Sequence, residues 1–166
     1  MSASAELVPL RWWQLPEVCR LETELFGDEQ WSPEAFWSEL SLCPPTLLDG
    51  PVRRYWAACD GGGVVGYAGL AVSGDESYVQ TIGVAGRAQR RGVGGRLLAR
   101  LLENAAELGA ATCWLEVRAD NEPAQQMYRR FGFVRRGLRR GYYQPSGTDA
   151  VVMAVGLPVA GEGTRG

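Results

Sequence analysis

The sequence predicts an α+β domain built on one mixed sheet. Three observations carry this. Short β-branched and aromatic runs recur with turn residues between them, two such runs flank the hairpin signal Asp60-Gly61-Gly62-Gly63, and another feeds through an Arg/Gly loop into a long apolar-periodic helix. With 166 residues, 46% of them hydrophobic and 22% charged, the chain suits one domain with a full core.

Residues 7–11 form a short candidate strand. Pro16 belongs to the first turn of a helix over 17–26, where Val18, Leu21, Leu25 and Phe26 recur at helical spacing. Residues 27–31 are a loop, and Ser32-Pro33-Glu34 reads as N-cap, first-turn proline and first-turn acid of a second helix reaching about Leu40. Residues 43–52, with three prolines and a glycine, connect to strands over 54–59 and 64–72. Ser73-Gly74-Asp75 turns into a third strand, 76–84. The long helix then presents Val93, Leu97, Leu98, Leu101, Leu102 and Ala105 on one face, with Gly109 as its C-cap. A short buried strand, 112–117, follows. Asp120-Asn121-Glu122-Pro123 opens a last helix that runs to about Phe131 and is broken by Gly132. Strands over 133–140 and 149–155 complete the domain, 1–155, and 156–166 reads as a disordered tail.

Two absences restrict the chemistry. There is no histidine, which removes Ser-His and Cys-His nucleophile systems and histidine-based metal sites; no metal ligand set is expected. All 17 basic residues are arginine, so a P-loop lysine, a Schiff base and a pyridoxal site are excluded. Proton chemistry must use Asp, Glu, Tyr, Cys or water. The four cysteines, Cys19, Cys43, Cys59 and Cys113, lie far apart and are expected to be buried free thiols. No run approaches the roughly 18 apolar residues of a membrane span and no signal pattern opens the chain, so a cytoplasmic protein without a membrane partner is expected. Net charge is −2 but uneven: residues 1–86 carry 12 acids and 4 arginines, whereas 87–166 carry 7 acids and 13 arginines. An acidic front half suits a cationic substrate and a basic back half a polyanionic ligand.

The loop Gln89-Arg90-Arg91-Gly92-Val93-Gly94-Gly95 has the makings of an anion cradle. Glycines let backbone N–H groups approach a ligand, a helix N-terminus carries positive partial charge, and arginine adds full charge. The glycine spacing fits a dinucleotide fingerprint poorly, because Gly92-Val93-Gly94 continues as Gly95-Arg96-Leu97. Strand, loop and helix instead resemble the coenzyme A pyrophosphate loop of the GNAT N-acetyltransferases. The resemblance extends through Leu115-Glu116-Val117-Arg118-Ala119-Asp120-Asn121, Ala124 to Tyr128 and Phe131-Gly132-Phe133. Arg139-Arg140-Gly141-Tyr142-Tyr143 and the early Trp31-Ser32 are similar to the RimI-type branch, the ribosomal-protein alanine N-acetyltransferases.

That resemblance implies a GNAT fold: a single mixed, mostly antiparallel twisted sheet flanked by about four helices. It implies direct acetyl transfer from acetyl-CoA to the α-amine of a protein N-terminus, the alanine of a small-subunit ribosomal protein in this branch. Glu116 matches the proposed base and Tyr128 the acid that protonates the departing thiolate. Ile82, Gly83 and Val84 match the segment that binds the acetyl and pantetheine groups, and Gly83 could mark a β-bulge. Arg90, Arg91, Gly92, Val93, Gly94 and Gly95 would hold the pyrophosphate, and Asn121 the pantetheine arm while also serving as helix cap. Trp31, Tyr142 and Tyr143 would line the peptide cleft. Glu22, Glu24, Asp28, Glu29, Glu34 and Glu39 either form a solvated helical face or favour a basic peptide. Each site residue also has a plain structural reading: an ion pair with Arg118 or another arginine for Glu116, core packing for Tyr128, strand packing for the tyrosines. Other acceptors, a polyamine, an aminoglycoside or a lysine side chain, fit the same donor site. An idle acetyl-CoA sensor also fits. So does an RNA-binding module using Arg129, Arg130, Arg135, Arg136, Arg139 and Arg140, although a pI near 5.3 weighs against nucleic acid.

Overall fold

The computed structural model describes residues 4–43 and 52–159. Strands β1 (Glu6–Pro9), β2 (Val52–Asp60), β3 (Gly63–Ser73), β4 (Glu76–Val84), β5 (Thr112–Arg118), β6 (Val134–Tyr143) and β7 (Thr148–Gly156) form one sheet in the order β1-β2-β3-β4-β5-β7-β6. Every neighbouring pair is antiparallel except β4 with β5. Helices α1 (Leu15–Phe26), α2 (Pro33–Ser41), α3 (Val93–Glu107) and α4 (Glu122–Arg130) accompany it. This is the mixed sheet with four helices that the sequence predicts.

The local rules act where expected. Gly61 and Gly62 connect β2 to β3, and the Asp60 side chain accepts the Gly62 N–H at 2.8 Å. Ser32 caps α2 by accepting the Ala35 N–H at 3.1 Å. Residues 64–72 of β3 are all buried, as in a strand covered on both faces. One face meets α3, whose Leu97, Leu98 and Leu101 are fully buried, each contributing roughly 1.5–3 kcal/mol. The other face meets α1 and α2 through Leu15, Val18, Leu21 and Phe36.

Several boundaries and details differ from the sequence reading. The first strand is Glu6–Pro9 rather than 7–11, because the chain turns into a 3-10 turn at Trp12. α1 starts two residues early, with Pro16 near its first position. β6 runs to Tyr143 instead of ending at residue 140. Of the four free cysteines only Cys113 is buried; Cys19, Cys43 and Cys59 are half-buried. Residues 44–51 of the expected connection and 160–166 of the expected tail lie outside the described residues. Before that point Gly156 closes β7, and Leu157 and Val159 pack against the core.

Two features of β4 position the site. It pairs with β5 only across Glu76–Tyr78 and Thr112–Trp114, after which the two strands part. Its bulge is at Gln80, the extra residue between the pairs Leu70↔Val79 and Gly69↔Thr81. Gly83 therefore marks no bulge: it pairs in register with Tyr67, and it is glycine because a Cβ there would stand 2.6 Å from the Tyr67 hydroxyl.

Candidate active site

Where β4 and β5 part, the facing backbone edges beyond Tyr78 and Trp114 lose their partner strands, and polar main-chain groups require partners. The wedge opens toward the C-terminal ends of both strands. There β4 leads into α3 and β5 into α4, so two helix N-termini stand at its mouth.

The loop before α3 is shaped by two left-handed residues, Arg90 (φ 63°) and Gly92 (φ 77°). For Arg90 this conformation costs about 1–2 kcal/mol, a cost the sequence does not reveal. The first rung of α3 is Arg96 N–H to Gly92 O at 3.0 Å, which leaves Val93, Gly94 and Gly95 N–H without intrahelical acceptors. Gln89 Nε2 donates to Val84 O at 3.0 Å and pins the loop to the strand end. A Cβ on Gly94 would come within 3.3 Å of Met127 Sδ and 3.5 Å of Val84 Cγ2, so this glycine allows α3 to press against α4 and β4. Arg90 and Arg91 are exposed beside these N–H groups. Free N–H groups, a helix N-terminus and two guanidinium groups fit a pyrophosphate.

On β5, Cys113, Leu115 and Val117 point into the core while Trp114, Glu116 and Arg118 take the opposite face. Glu116 Oε1 forms an ion pair with Arg139 Nε at 3.0 Å. Tyr142 lies beside the same carboxylate, whose hydrogen bond raises the phenol's pKa. Tyr143 is pushed up to about 12, mainly by burial and then by Tyr142 and Glu116. Tyr128 on α4 is buried edge-on against Phe133, with centroids 5.8 Å apart. Burial holds its hydroxyl well above the ordinary tyrosine value, and that hydroxyl makes no hydrogen bond among the described residues. Asn121 caps α4, its Oδ1 accepting the Ala124 N–H at 3.2 Å.

Opposite the cradle, a second group of side chains is organised by Arg118, which the sequence offers as one possible ion-pair partner for Glu116. It pairs instead with Glu29 and Asp120 (Nε to Oδ1 2.9 Å), donates to Thr148 Oγ1 at 3.0 Å, and lies over the Tyr143 ring at 5.3 Å. Ser146 also donates to Glu29. The segment after α1 is thereby tied to the β6–β7 turn. Between them lies a cleft of about 420 Å³, lined by Leu25, Phe26, Asp28, Glu29, Arg118, Pro145 and Ser146.

The six N-terminal acids do not act as one group. Asp28 and Glu29 line the cleft, Glu39 is held by Arg53 at 2.5 Å, Glu22 is buried, and Glu24 and Glu34 face solvent. Trp31 packs half-buried on Phe36 at 5.3 Å. Tyr142 and Tyr143 meet edge to face at 5.1 Å on β6. The basic segment is partly neutralised: Arg129 pairs with Glu122 and Arg139 with Glu116, while Arg130, Arg135, Arg136 and Arg140 are exposed.

The profile of the acetyltransferase (GNAT) family matches residues 11–133. The chain belongs to this family. It is similar to the N-alpha-acetyltransferase RimI of Mycobacterium tuberculosis, 45% identical over 138 residues that cover 80% of each chain. The [ribosomal protein bS18]-alanine N-acetyltransferase of Escherichia coli K12 is 38% identical over 128 residues, 75% of this chain and 82% of the relative. The crystal structure of the ribosomal-protein-S18-alanine N-acetyltransferase from Escherichia coli superposes with a TM-score of 0.79 at 30% identity, covering 98% of this chain and 99% of that one. Membership makes this GNAT protein an N-acetyltransferase with acetyl-CoA as donor. No helix among the described residues is long and apolar enough to cross a membrane.

Proposed function

We propose that this GNAT protein acetylates the α-amine of a protein N-terminus in the cytoplasm, the alanine of a small-subunit ribosomal protein being the preferred acceptor. The observation that carries this reading is the wedge between β4 and β5, with an anion cradle at one side and the Glu116 and Arg118 face at the other. The activities of the Mycobacterium tuberculosis and Escherichia coli relatives support the acceptor class.

When bound, acetyl-CoA supplies an activated acetyl thioester. Arg90 to Gly95 would hold its pyrophosphate through backbone N–H groups and guanidinium charge, and the backbone of Ile82, Gly83 and Val84 would hold the pantetheine and polarise the acetyl carbonyl. Asn121, whose Oδ1 is engaged in the cap, offers its Nδ2 to the pantetheine arm. Glu116, oriented by Arg139, takes the proton of the attacking amine directly or through water. Tyr128 would give its proton to the departing thiolate; a phenol is protonated at neutral pH, as a donor requires, and burial raises its pKa further. Trp31, Tyr142 and Tyr143 border the incoming peptide, and Asp28 and Glu29 favour a basic residue behind the N-terminus.

Turnover on Ala-, Ser- and Met-starting peptides, with the modified position read by mass spectrometry, tests the reading. Acetylation of the α-amine with alanine preferred is the expected result. Modification confined to lysine side chains, faster turnover of polyamines, or steeply salt-dependent RNA binding without acetyl-CoA binding would replace it.

A further inference from the structure

A buried carboxylate that this mechanism does not use lies beneath the donor strand. Glu22 on α1 is 2% exposed, and no arginine pairs with it among the described residues. Its Oε1 accepts the backbone N–H of Trp31 at 3.0 Å, and its Oε2 accepts the hydroxyl of Tyr67. Tyr67 on β3 is fully buried, and its ring passes over Gly83, where a Cβ would lie 2.6 Å from the hydroxyl oxygen and 2.7 Å from Cζ. An unbroken line of contacts thus runs from the Trp31 backbone through Glu22 and Tyr67 to the Gly83 backbone. One end lies in the segment between α1 and α2, the other in the strand assigned to the donor.

Burying a carboxylate without a cation is costly, and an apolar side chain would fill the same space at lower cost. Glu39 shows the contrast. It also binds a tyrosine that lies across a sheet glycine, Tyr55 over Gly69, at 3.2 Å, but Arg53 neutralises it. What Glu22 has instead is one hydrogen bond on each oxygen, to two different elements. Such bonds to a charged acceptor are short and directional, so they fix separation as well as contact. Burial also raises the Tyr67 phenol's pKa, which keeps Tyr67 the donor of that bond.

We propose that Glu22 and Tyr67 are positioning residues for acetyl transfer, holding the Trp31 segment in fixed register with Gly83 so that filling the donor site orders the acceptor side. The inference rests on the assignments of Gly83 to the donor and Trp31 to the acceptor made above. Tyr67→Phe keeps the ring over Gly83 and removes only the hydroxyl, and Glu22→Gln keeps the shape and the acceptor for Trp31. Three readouts decide it in each full-length variant: amide hydrogen exchange at Trp31 with and without acetyl-CoA, the acetyl-CoA Kd, and the peptide KM and kcat. In the parent protein acetyl-CoA should slow exchange at Trp31 by about tenfold, a typical coupling between linked sites. In Tyr67→Phe that response should vanish and peptide KM rise by about as much, while the acetyl-CoA Kd stays within about twofold. The double variant should be no worse than the stronger single one. An unchanged Trp31 response in the variants would overturn the proposal. So would additive effects, or Kd and KM worsening together in step with a falling Tm. If neither variant folds, the pair is merely structural and the proposal fails. If the parent protein binds acetyl-CoA but acetylates no peptide, the acceptor assignment is wrong, and the Trp31 exchange still decides whether the two ends communicate.

Discussion

The proposed donor and acceptor sides of the wedge are built from different materials. The donor side is main chain: a left-handed Gly92, the free N–H groups opening α3, and a strand edge released where β4 and β5 part. The acceptor side is side chain: Arg118 joined to Glu29, Asp120 and Thr148, with Tyr143 beneath it. A main-chain site binds a group common to many ligands and tolerates little change in backbone geometry. A side-chain site can be rewritten residue by residue. The contrast assigns constancy to the donor and choice to the acceptor.

The sharpest way to break this division is at the point where the two sides meet. Glu116→Gln should lower kcat by about 10²–10⁴, the range for losing a general base, with the acetyl-CoA Kd nearly unchanged. A fully active variant would remove Glu116 from the chemistry. On the donor side, Gly92→Asp puts a side chain at φ 77° and a negative charge into the cradle. Acetyl-CoA affinity measured by calorimetry should fall about 10- to 100-fold, from backbone strain and repulsion together. Unchanged affinity would mean that the loop does not hold the pyrophosphate.

The acceptor side should respond in the opposite sense. Arg118→Gln frees Glu29 and the β6–β7 turn, so peptide KM should rise about tenfold at constant acetyl-CoA Kd; the modest size reflects the partial exposure of these ion pairs. Equal losses for both ligands would erase the distinction. The smallest effect concerns Glu22, whose carboxyl pKa is raised, mainly by burial. Its contribution to stability is fully present below the ordinary glutamate value of about 4.3 and is lost as pH rises through the higher value of the folded protein. Glu22→Gln lacks that loss, so its Tm relative to the parent should climb by a few degrees between about pH 4 and pH 8. A difference that stays flat with pH would contradict the shift.

The same contrast explains what could be read from the sequence. Local signals mark the proposed donor side: the glycines of 92–95, the apolar face of α3 and the Asn121 cap all act within a few residues of themselves. The acceptor side depends on partners far apart in the chain. Arg118 and Glu29 are 89 positions apart and Ser146 and Glu29 are 117, and no spacing rule marks such pairs. For Glu116 the sequence offers Arg118 or another arginine without choosing between them, and in the fold the partner is Arg139. Gly83 is ambiguous in the sequence for a related reason. A glycine in a strand suggests a bulge, but the cause is the Tyr67 ring crossing from the adjacent strand, and the bulge itself falls on Gln80, which has no special composition. Likewise Glu22 sat in an acidic run that reads as solvated, and only the packing of α1 on β3 buries it.

The short seam between β4 and β5 has one more consequence. Three paired residues on each strand join a panel of β1 to β4 with a panel of β5, β7 and β6. Cohesion between the panels falls to α3, whose leucines belong to the same core cluster as residues of both. The binding of the molecule and the spread of its pages are thus entrusted to separate residues. Drift along the outer edge can reshape what is held open without loosening the spine.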